Sequence, residues 1–180
     1  GNIPAVVMRM ALPLIAAQLV NVLYNVVDRI YIGHIPNVGS MALTGVGIAL
    51  PVISILSAFA GLFGQGGAPL CSMARGRGDN DEASRVMGNA FSMLLVSSVA
   101  LGLLTWAFLD PVITVFAAGK EASSYAREYL AVYLIGTTFS FVSLGMNVYI
   151  NAQGFATRGM LTVLLGAAAN IVLDPLFIFA

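Results

Sequence analysis

The amino-acid sequence predicts an all-α membrane protein, a polytopic bundle of transmembrane helices. Its composition is the first reason: 59% of the 180 residues are hydrophobic and 9% are charged, whereas a soluble domain usually carries about 25% charged residues. The second reason is that five stretches reach the roughly 20 apolar residues that a helix needs to cross a hydrocarbon core about 30 Å thick. The loops between them are short, so successive helices should pack as antiparallel neighbours.

The five spans are predicted at residues 9–33, 42–70, 86–109, 124–152 and 159–180. The breaks between them are the turn-rich GHIPNVGS, the charged run ARGRGDNDEASR, AAGKEASS and NAQGFATRG, none of which suits lipid. The first span has no A-x-A cleavage pattern, so we expect it to be permanent. The fifth span reaches Ala180 within an apolar run. We interpret residues 1–180 as an amino-terminal lobe without its sixth helix and second lobe.

The distribution of basic residues predicts the orientation. With a cytoplasmic amino terminus, Arg9, Arg75, Arg77, Arg85 and Arg158 lie inside, and only Arg29, Lys120 and Arg127 lie towards the outside. Short cytoplasmic loops carry an excess of Lys and Arg. We therefore expect a multi-pass protein of the cell's inner (plasma) membrane with its amino terminus in the cytoplasm and its surface against the lipid bilayer.

The charges and the metal-binding residue types exclude several functions. Eight basic residues balance eight acidic ones, so no excess of positive charge favours nucleic acid as a partner. Cys71 and His34 are the only cysteine and the only histidine, which argues against a zinc cluster. We expect Cys71 to be a packing residue and the protein to need no cofactor or transition metal.

Small residues inside the second span predict close helix packing. Ala60 and Gly64, and Gly64 and Ala68, are each four residues apart. This small-xxx-small spacing lets two helix backbones approach each other in a membrane.

Polar residues in the first span indicate a polar interior. Gln18, Asn21, Asn25 and Asp28 are three, four and three residues apart, which places them on one helical face. The amides could line a cavity, or they could form hydrogen bonds that join helices. Asp28 is costly in lipid and favours a functional role, with Arg29 as a possible interfacial partner.

The fifth and fourth spans carry further polar stripes. In the fifth span Asn170 and Asp174 are one turn apart and follow Thr162 and Gly166 at the same spacing. At about 1.5 Å per residue, Asp174 should lie roughly 21 Å from the inner end, at a level similar to that of Asp28. In the fourth span the stripe begins with Tyr129 and Tyr133, at that same level, and continues with two further candidates for cavity lining, Thr137 and Ser140.

Two carboxylates, an amide and a phenol at one depth would suit a proton or a hard cation such as Na⁺. Carboxyl groups that are close together and poorly solvated do not readily ionise together, so they can share a proton. Prolines within the spans, Pro13 and Pro175, each remove a backbone hydrogen bond and could act as hinges.

These segments resemble the multidrug and toxic compound extrusion (MATE) family, in particular its bacterial members. The resemblance lies in LPLIAAQLVNVLYNVVDRIYIGHIPNVGSMALTGVGIALPV, in GQGGAPLCSMARGRGDNDEASR and in AAANIVLDPLFIF. It implies twelve helices in two six-helix lobes with alternating access between them, of which this chain would supply five helices. It also implies antiport, in which entry of H⁺ or Na⁺ drives the export of small organic, often cationic, drugs.

The resemblance implies a cation-coupling site as well. The aspartate of the family's first helix corresponds to Asp28, and the Asn and Asp of its fifth helix correspond to Asn170 and Asp174. The fourth-helix tyrosine corresponds to Tyr129, or to Tyr133 one turn away. The first-helix proline that bends in some members corresponds to Pro13.

Three other functions compete with drug export. An exporter or flippase of lipid-linked saccharide could share this fold. A structural membrane subunit would leave the three polar stripes without a purpose. An intramembrane aspartyl protease needs a Gly-x-Gly-Asp element, whereas Ile-Val-Leu precedes Asp174. We therefore expect a transporter and not an enzyme.

Overall fold

The architecture is helical throughout the part of the chain described by the computed structural model, residues 3–116 and 119–179. The helices are α1 (Ile3–Gly33), α2 (Gly39–Gly76), α3 (Asn80–Ala107), α4 (Leu109–Phe116), α5 (Lys120–Ala152) and α6 (Ala156–Phe179). Five of them, α1, α2, α3, α5 and α6, are long and apolar enough to cross a membrane. The predicted fold class is confirmed, and these five helices correspond to the five predicted spans.

The charged run at 74–85 is a much shorter loop than the sequence predicted. Only residues 77–79 lie outside the helices there, because α2 has 38 residues and extends about 57 Å. That length exceeds the hydrocarbon core of about 30 Å, so the helix continues beyond it to its basic end at Arg75.

The start of α3 is fixed by capping. The Asp79 side chain accepts a hydrogen bond of 2.8 Å from the backbone N–H of Glu82, and Asp81 and Glu82 lie in the first turn. Acidic groups at a helix amino terminus stabilise exposed N–H groups and the helix dipole. Arg77 closes the turn with a 2.9 Å ion pair to Glu82.

Helix α4 was not predicted from the sequence. It buries Leu109 and Ile113, while Val115 is 77% exposed. Asp110, in its first turn, forms a 2.7 Å ion pair with Arg127 of α5. The eight-residue helix is too short to produce a span, which is why a prediction based on apolar length placed it partly in the third span.

The chain divides into two compact units. The terminal unit contains α1 and α6, with residues up to Gly39 and from Ile150 onward, and the central unit comprises Ser40–Tyr149. In the terminal unit the two helices pack directly against each other. They run parallel, because their first turns line one cleft and Asp28 and Asp174, near their carboxyl ends, are in electrostatic contact.

The central unit is built on close contacts between α2 and α5. The backbone of Gly64 lies so near Gly145 that a Cβ on Gly64 would be 2.9 Å from the Gly145 carbonyl oxygen. One turn along, Tyr149 packs over Gly67 and its hydroxyl donates a 3.1 Å hydrogen bond to the Phe63 carbonyl. The predicted small-residue packing of α2 is confirmed, since Ala60 and Ala68 are also buried.

Large apolar side chains fill the rest of this unit. Leu94 of α3 occupies the space beside Gly145, and the Ser98 hydroxyl donates a 3.2 Å hydrogen bond to Thr138. Cys71 is buried, with its thiol 3.6 Å from the Ala83 carbonyl oxygen. The expectation that Cys71 packs inside the protein is confirmed.

Candidate functional site

The two intramembrane carboxylates are brought together in the terminal unit. Asp28 of α1 and Asp174 of α6 are both half-buried, and the charge of Asp174 acts on Asp28. Each lies on the side of its helix that packs against the other. Two acids on separate helices thus share one small region, as their similar predicted depth suggested.

Arg29 does not neutralise this pair directly. Its charge reaches Asp28, but its side chain is exposed, and within the described residues it forms no ion pair with that carboxylate. A cation between Asp28 and Asp174 would therefore meet two acids with only a distant compensating charge.

The other polar residues of α1 form an open furrow. Gln18, Asn21, Asn25 and Arg29 line a depression of about 310 Å³ together with two valines. The Asn25 amide donates to the Asn21 carbonyl oxygen at 2.7 Å and to its side-chain oxygen at 3.2 Å. The amides share one face, as the spacing predicted. Asp28 lies at the border between this furrow and the side that packs against α6.

Asn170 and Asp174 differ in their surroundings although they are one turn apart. Thr162, Gly166 and Asn170 are exposed, whereas Asp174 is half-buried. Each step of four residues turns the helix by about 40° beyond a full circle, so the stripe drifts until Asp174 faces α1. Asn170 borders the carboxylate pair from its open side.

The tyrosines of the predicted site lie in the central unit. The rings of Tyr129 and Tyr133 are stacked on α5, with centroids 6.4 Å apart, and Tyr129 is the more exposed. Their place beside the carboxylates of the terminal unit stays a prediction.

Thr137 and Ser140 occupy different environments on α5. Thr137 is 1% exposed, and its hydroxyl donates a 3.3 Å hydrogen bond to the Tyr133 carbonyl, an arrangement that favours packing over cavity lining. Ser140 is half-buried. The hinge candidates Pro13 and Pro175 both lie within continuous helices, and their movement stays a prediction.

Two tyrosines of α1 were overlooked in the sequence. Tyr24 and Tyr31 are half-buried like Asp28 and lie one turn before and one turn after it. Their spacing of four and three residues around an intramembrane acid was a signal that could have identified them.

His34 has a structural role at the end of α1. Its ring Nδ1 lies 2.7 Å from the Ile30 carbonyl oxygen, which satisfies a terminal carbonyl of the helix. Among the described residues, no three His, Cys, Asp or Glu side chains are grouped as a metal site would require.

Comparison with known proteins gives a consistent result. The MatE family model matches residues 13–176. The multidrug export protein MepA of Staphylococcus haemolyticus (strain JCSC1435) is 27% identical over 172 residues, which are 96% of this chain and 38% of that protein. The chain therefore spans about 38% of the length of the curated relatives it matches.

Solved structures agree with the family match. The MATE multidrug transporter DinF-BH, solved in complex with a drug, is 37% identical with a TM-score of 0.93, over 99% of this chain and 40% of that one. A MOP superfamily transporter from Pyrococcus furiosus is 28% identical with a TM-score of 0.89, over 97% and 38%. For that protein, the reverse polarity of the binding pocket is described as suggesting a different function.

Proposed function

Because the chain belongs to the MatE family, we propose that it forms the amino-terminal lobe of a cation-coupled exporter of small organic, often cationic, compounds. One observation supports this most strongly: Asp28 and Asp174, on two helices that pack against each other, are within electrostatic range inside the membrane. Intramembrane acids are costly and usually serve ion pathways or proton relays.

The proposed coupling step is occupation of the carboxylate pair by H⁺ or Na⁺. Two negative charges repel each other strongly in a medium of low dielectric constant, so the unoccupied pair favours separation of α1 from α6. A bound cation removes that repulsion and favours the packed arrangement. Asn170 supplies a neutral oxygen at the open side, and Tyr129 or Tyr133 supplies a phenol.

The conformational response is assigned to α1. Pro13 lacks the N–H that would bind the carbonyl one turn earlier, so this helix bends there more easily than elsewhere. Pro175, directly after Asp174, gives α6 a second such point. Cation binding from outside would change the path of α1 and release the organic substrate, after which a second lobe completes the alternating-access cycle.

The test is ion-driven efflux in the full-length protein, at matched expression in a strain without other exporters. Asp28→Asn and Asp174→Asn keep shape and remove charge, so we expect each to reduce gradient-driven efflux to background while the substrate still binds. The double variant should do no further harm, because groups that share one ion act as a unit. Asn170→Ala should cause a smaller loss, since both charges remain.

Asp110→Asn is the matched control. It removes one carboxylate from an exposed ion pair on α4 and should leave efflux unchanged. Near-normal efflux in either Asp28→Asn or Asp174→Asn would refute the site.

Two further assays address the ion and the competing function. Proteoliposomes with a proton gradient or a Na⁺ gradient imposed separately identify the coupling ion by which gradient drives uptake of a cationic dye.

The alternative, export of a lipid-linked saccharide, is supported by the different function suggested for the similar Pyrococcus furiosus transporter. Binding of a phosphorylated lipid without binding of cationic dyes would favour that alternative.

A further inference from the structure

A second charged site lies at the opposite end of the α1–α6 pair from the carboxylates. The first turns of the two helices and the loop before α6 line a cleft of about 600 Å³. Its lining consists of two arginines, three apolar side chains and a short stretch of backbone: Arg9, Arg158, Val6, Met10, Phe155 and Gly154–Thr157. All belong to the terminal unit.

The cleft is positively charged and has no acidic lining residue. Among the described residues, neither Arg9 nor Arg158 forms an ion pair with a carboxylate, in contrast to Arg77, which is paired with Glu82. The Arg158 guanidinium stacks 4.6 Å above the Phe155 ring. Such stacking fixes the plane of the guanidinium and leaves its N–H groups free at the edge.

The start of α6 adds to the unbalanced charge. Its first turn contains no acidic residue, whereas α3 begins with Asp79, Asp81 and Glu82. A helix amino terminus carries a partial positive charge, and Arg158 places a full one beside it. Two like charges in that position are favourable only when an anion joins them.

The level of the cleft in the membrane identifies the anion. From Arg9 to Gly33, α1 extends about 36 Å, slightly more than the hydrocarbon thickness of about 30 Å. Arg9 therefore lies at the level of the lipid headgroups when α1 spans the bilayer. Val6, Met10 and Phe155 add exposed apolar surface that suits the glycerol and acyl-chain region of a lipid.

We propose that this cleft binds the phosphate of an anionic phospholipid, with Arg9 and Arg158 as its two ligands and the apolar side chains against the lipid's glycerol and first methylenes. Arginine recognises phosphate through paired N–H donors. A bound lipid would also join the inner ends of α1 and α6, independently of what the protein transports.

Native mass spectrometry tests the proposal. The full-length protein is reconstituted in nanodiscs with equal phosphatidylglycerol and phosphatidylcholine, and the lipids retained on release are weighed. We expect preferential retention of one phosphatidylglycerol. Arg9→Gln and Arg158→Gln should each weaken retention about tenfold, since each removes a charge-assisted contact, and the double variant should abolish it.

Arg77→Gln is the matched control, because it removes an arginine that is already paired with Glu82; it should leave retention unchanged. Arg9→Lys keeps the charge and should retain the lipid, which separates the proposal from a failure to fold. Circular dichroism and size-exclusion chromatography check each variant.

Three outcomes would overturn the proposal: equal retention of the two lipids, unchanged retention in the folded double variant, or displacement of the lipid by millimolar inorganic phosphate, which would indicate a soluble anion instead.

Discussion

Gly64 lies where α2 and α5 approach at backbone distance, so Gly64→Ala should force the two helices apart. The new Cβ would lie 2.9 Å from the Gly145 carbonyl oxygen and 3.0 Å from its Cα, against a favourable separation of about 3.5–4.0 Å. The obstructing atoms are backbone, which cannot rotate away as a side chain can. The helices must therefore separate by roughly 0.5–1 Å, and their other contacts weaken by a quarter to a half.

The expected magnitude follows from two opposing effects. Overpacking of this kind costs about 1–3 kcal/mol, and replacing glycine by alanine in a helix returns up to about 1 kcal/mol. Gly66 is two residues away in the same helix and has nothing within 4 Å of its Cβ position. Gly66→Ala therefore experiences only the favourable effect, and the two variants should differ in unfolding free energy by about 1–3 kcal/mol.

The assay is thermal unfolding of the purified full-length protein in one detergent. A difference of 1 kcal/mol corresponds to about 2–4 °C for chains of 150–250 residues, so the apparent Tm of Gly64→Ala should lie about 2–10 °C below that of Gly66→Ala. Equal melting temperatures would refute the close α2–α5 contact.

Gly67 offers a second check on the same interface, because its Cβ position is obstructed by the Tyr149 hydroxyl. Tyr149→Phe should partly rescue Gly67→Ala but should not rescue Gly64→Ala. Rescue of both variants would show that the substitution loosens the interface in general and does not remove a specific obstruction.

Three further predictions concern the ends of the helices. Asp79→Ala removes the cap of α3 and should lower the unfolding free energy by about 1 kcal/mol, measured by chemical denaturation; an unchanged midpoint would contradict the capping contact. Arg127→Gln breaks an exposed ion pair with Asp110 and should change stability by less than about 1 kcal/mol in the same assay, so a larger loss would indicate further partners. Cys71 should stay unmodified by maleimide until the protein unfolds, whereas Asn80→Cys, at an exposed position and in a Cys71→Ser background, should react only from the cytoplasmic side; labelling of intact cells would reverse the orientation.

The fold was largely predictable because it depends on apolar length. Each of the five spans contains more apolar residues than a crossing requires, and composition registers that surplus directly. Helix α4 escaped prediction since eight residues, of which Leu109 and Ile113 are buried, produce no such surplus. The loop at 74–85 was overestimated because charge excludes a segment from lipid without excluding it from a helix, and the Asp79 cap starts α3 within that run.

The carboxylate pair was predictable in part. Spacing placed Asp28 on a polar face and Asp174 one turn beyond Asn170, and the structure brings the two acids together. Spacing alone did not show that Asp174 turns towards α1 while Asn170 remains exposed, because a four-residue stripe drifts around a helix with 3.6 residues per turn. The pairing of the first helix with the last depends on long-range packing, which no local pattern encodes.

That pairing sets an order for biogenesis. The ribosome makes α1 first, and its partner α6 emerges only after Ser40–Tyr149, a wait on the order of ten seconds at about 5–20 residues per second. During that interval Asp28 and the amide furrow of α1 lie in the membrane without the helix that will cover one side of them. The nascent first helix therefore depends on the insertion machinery or on the lipid headgroups to shelter its polar face, and a substitution that weakens α6 would expose newly made protein to membrane quality control before any transport could be measured.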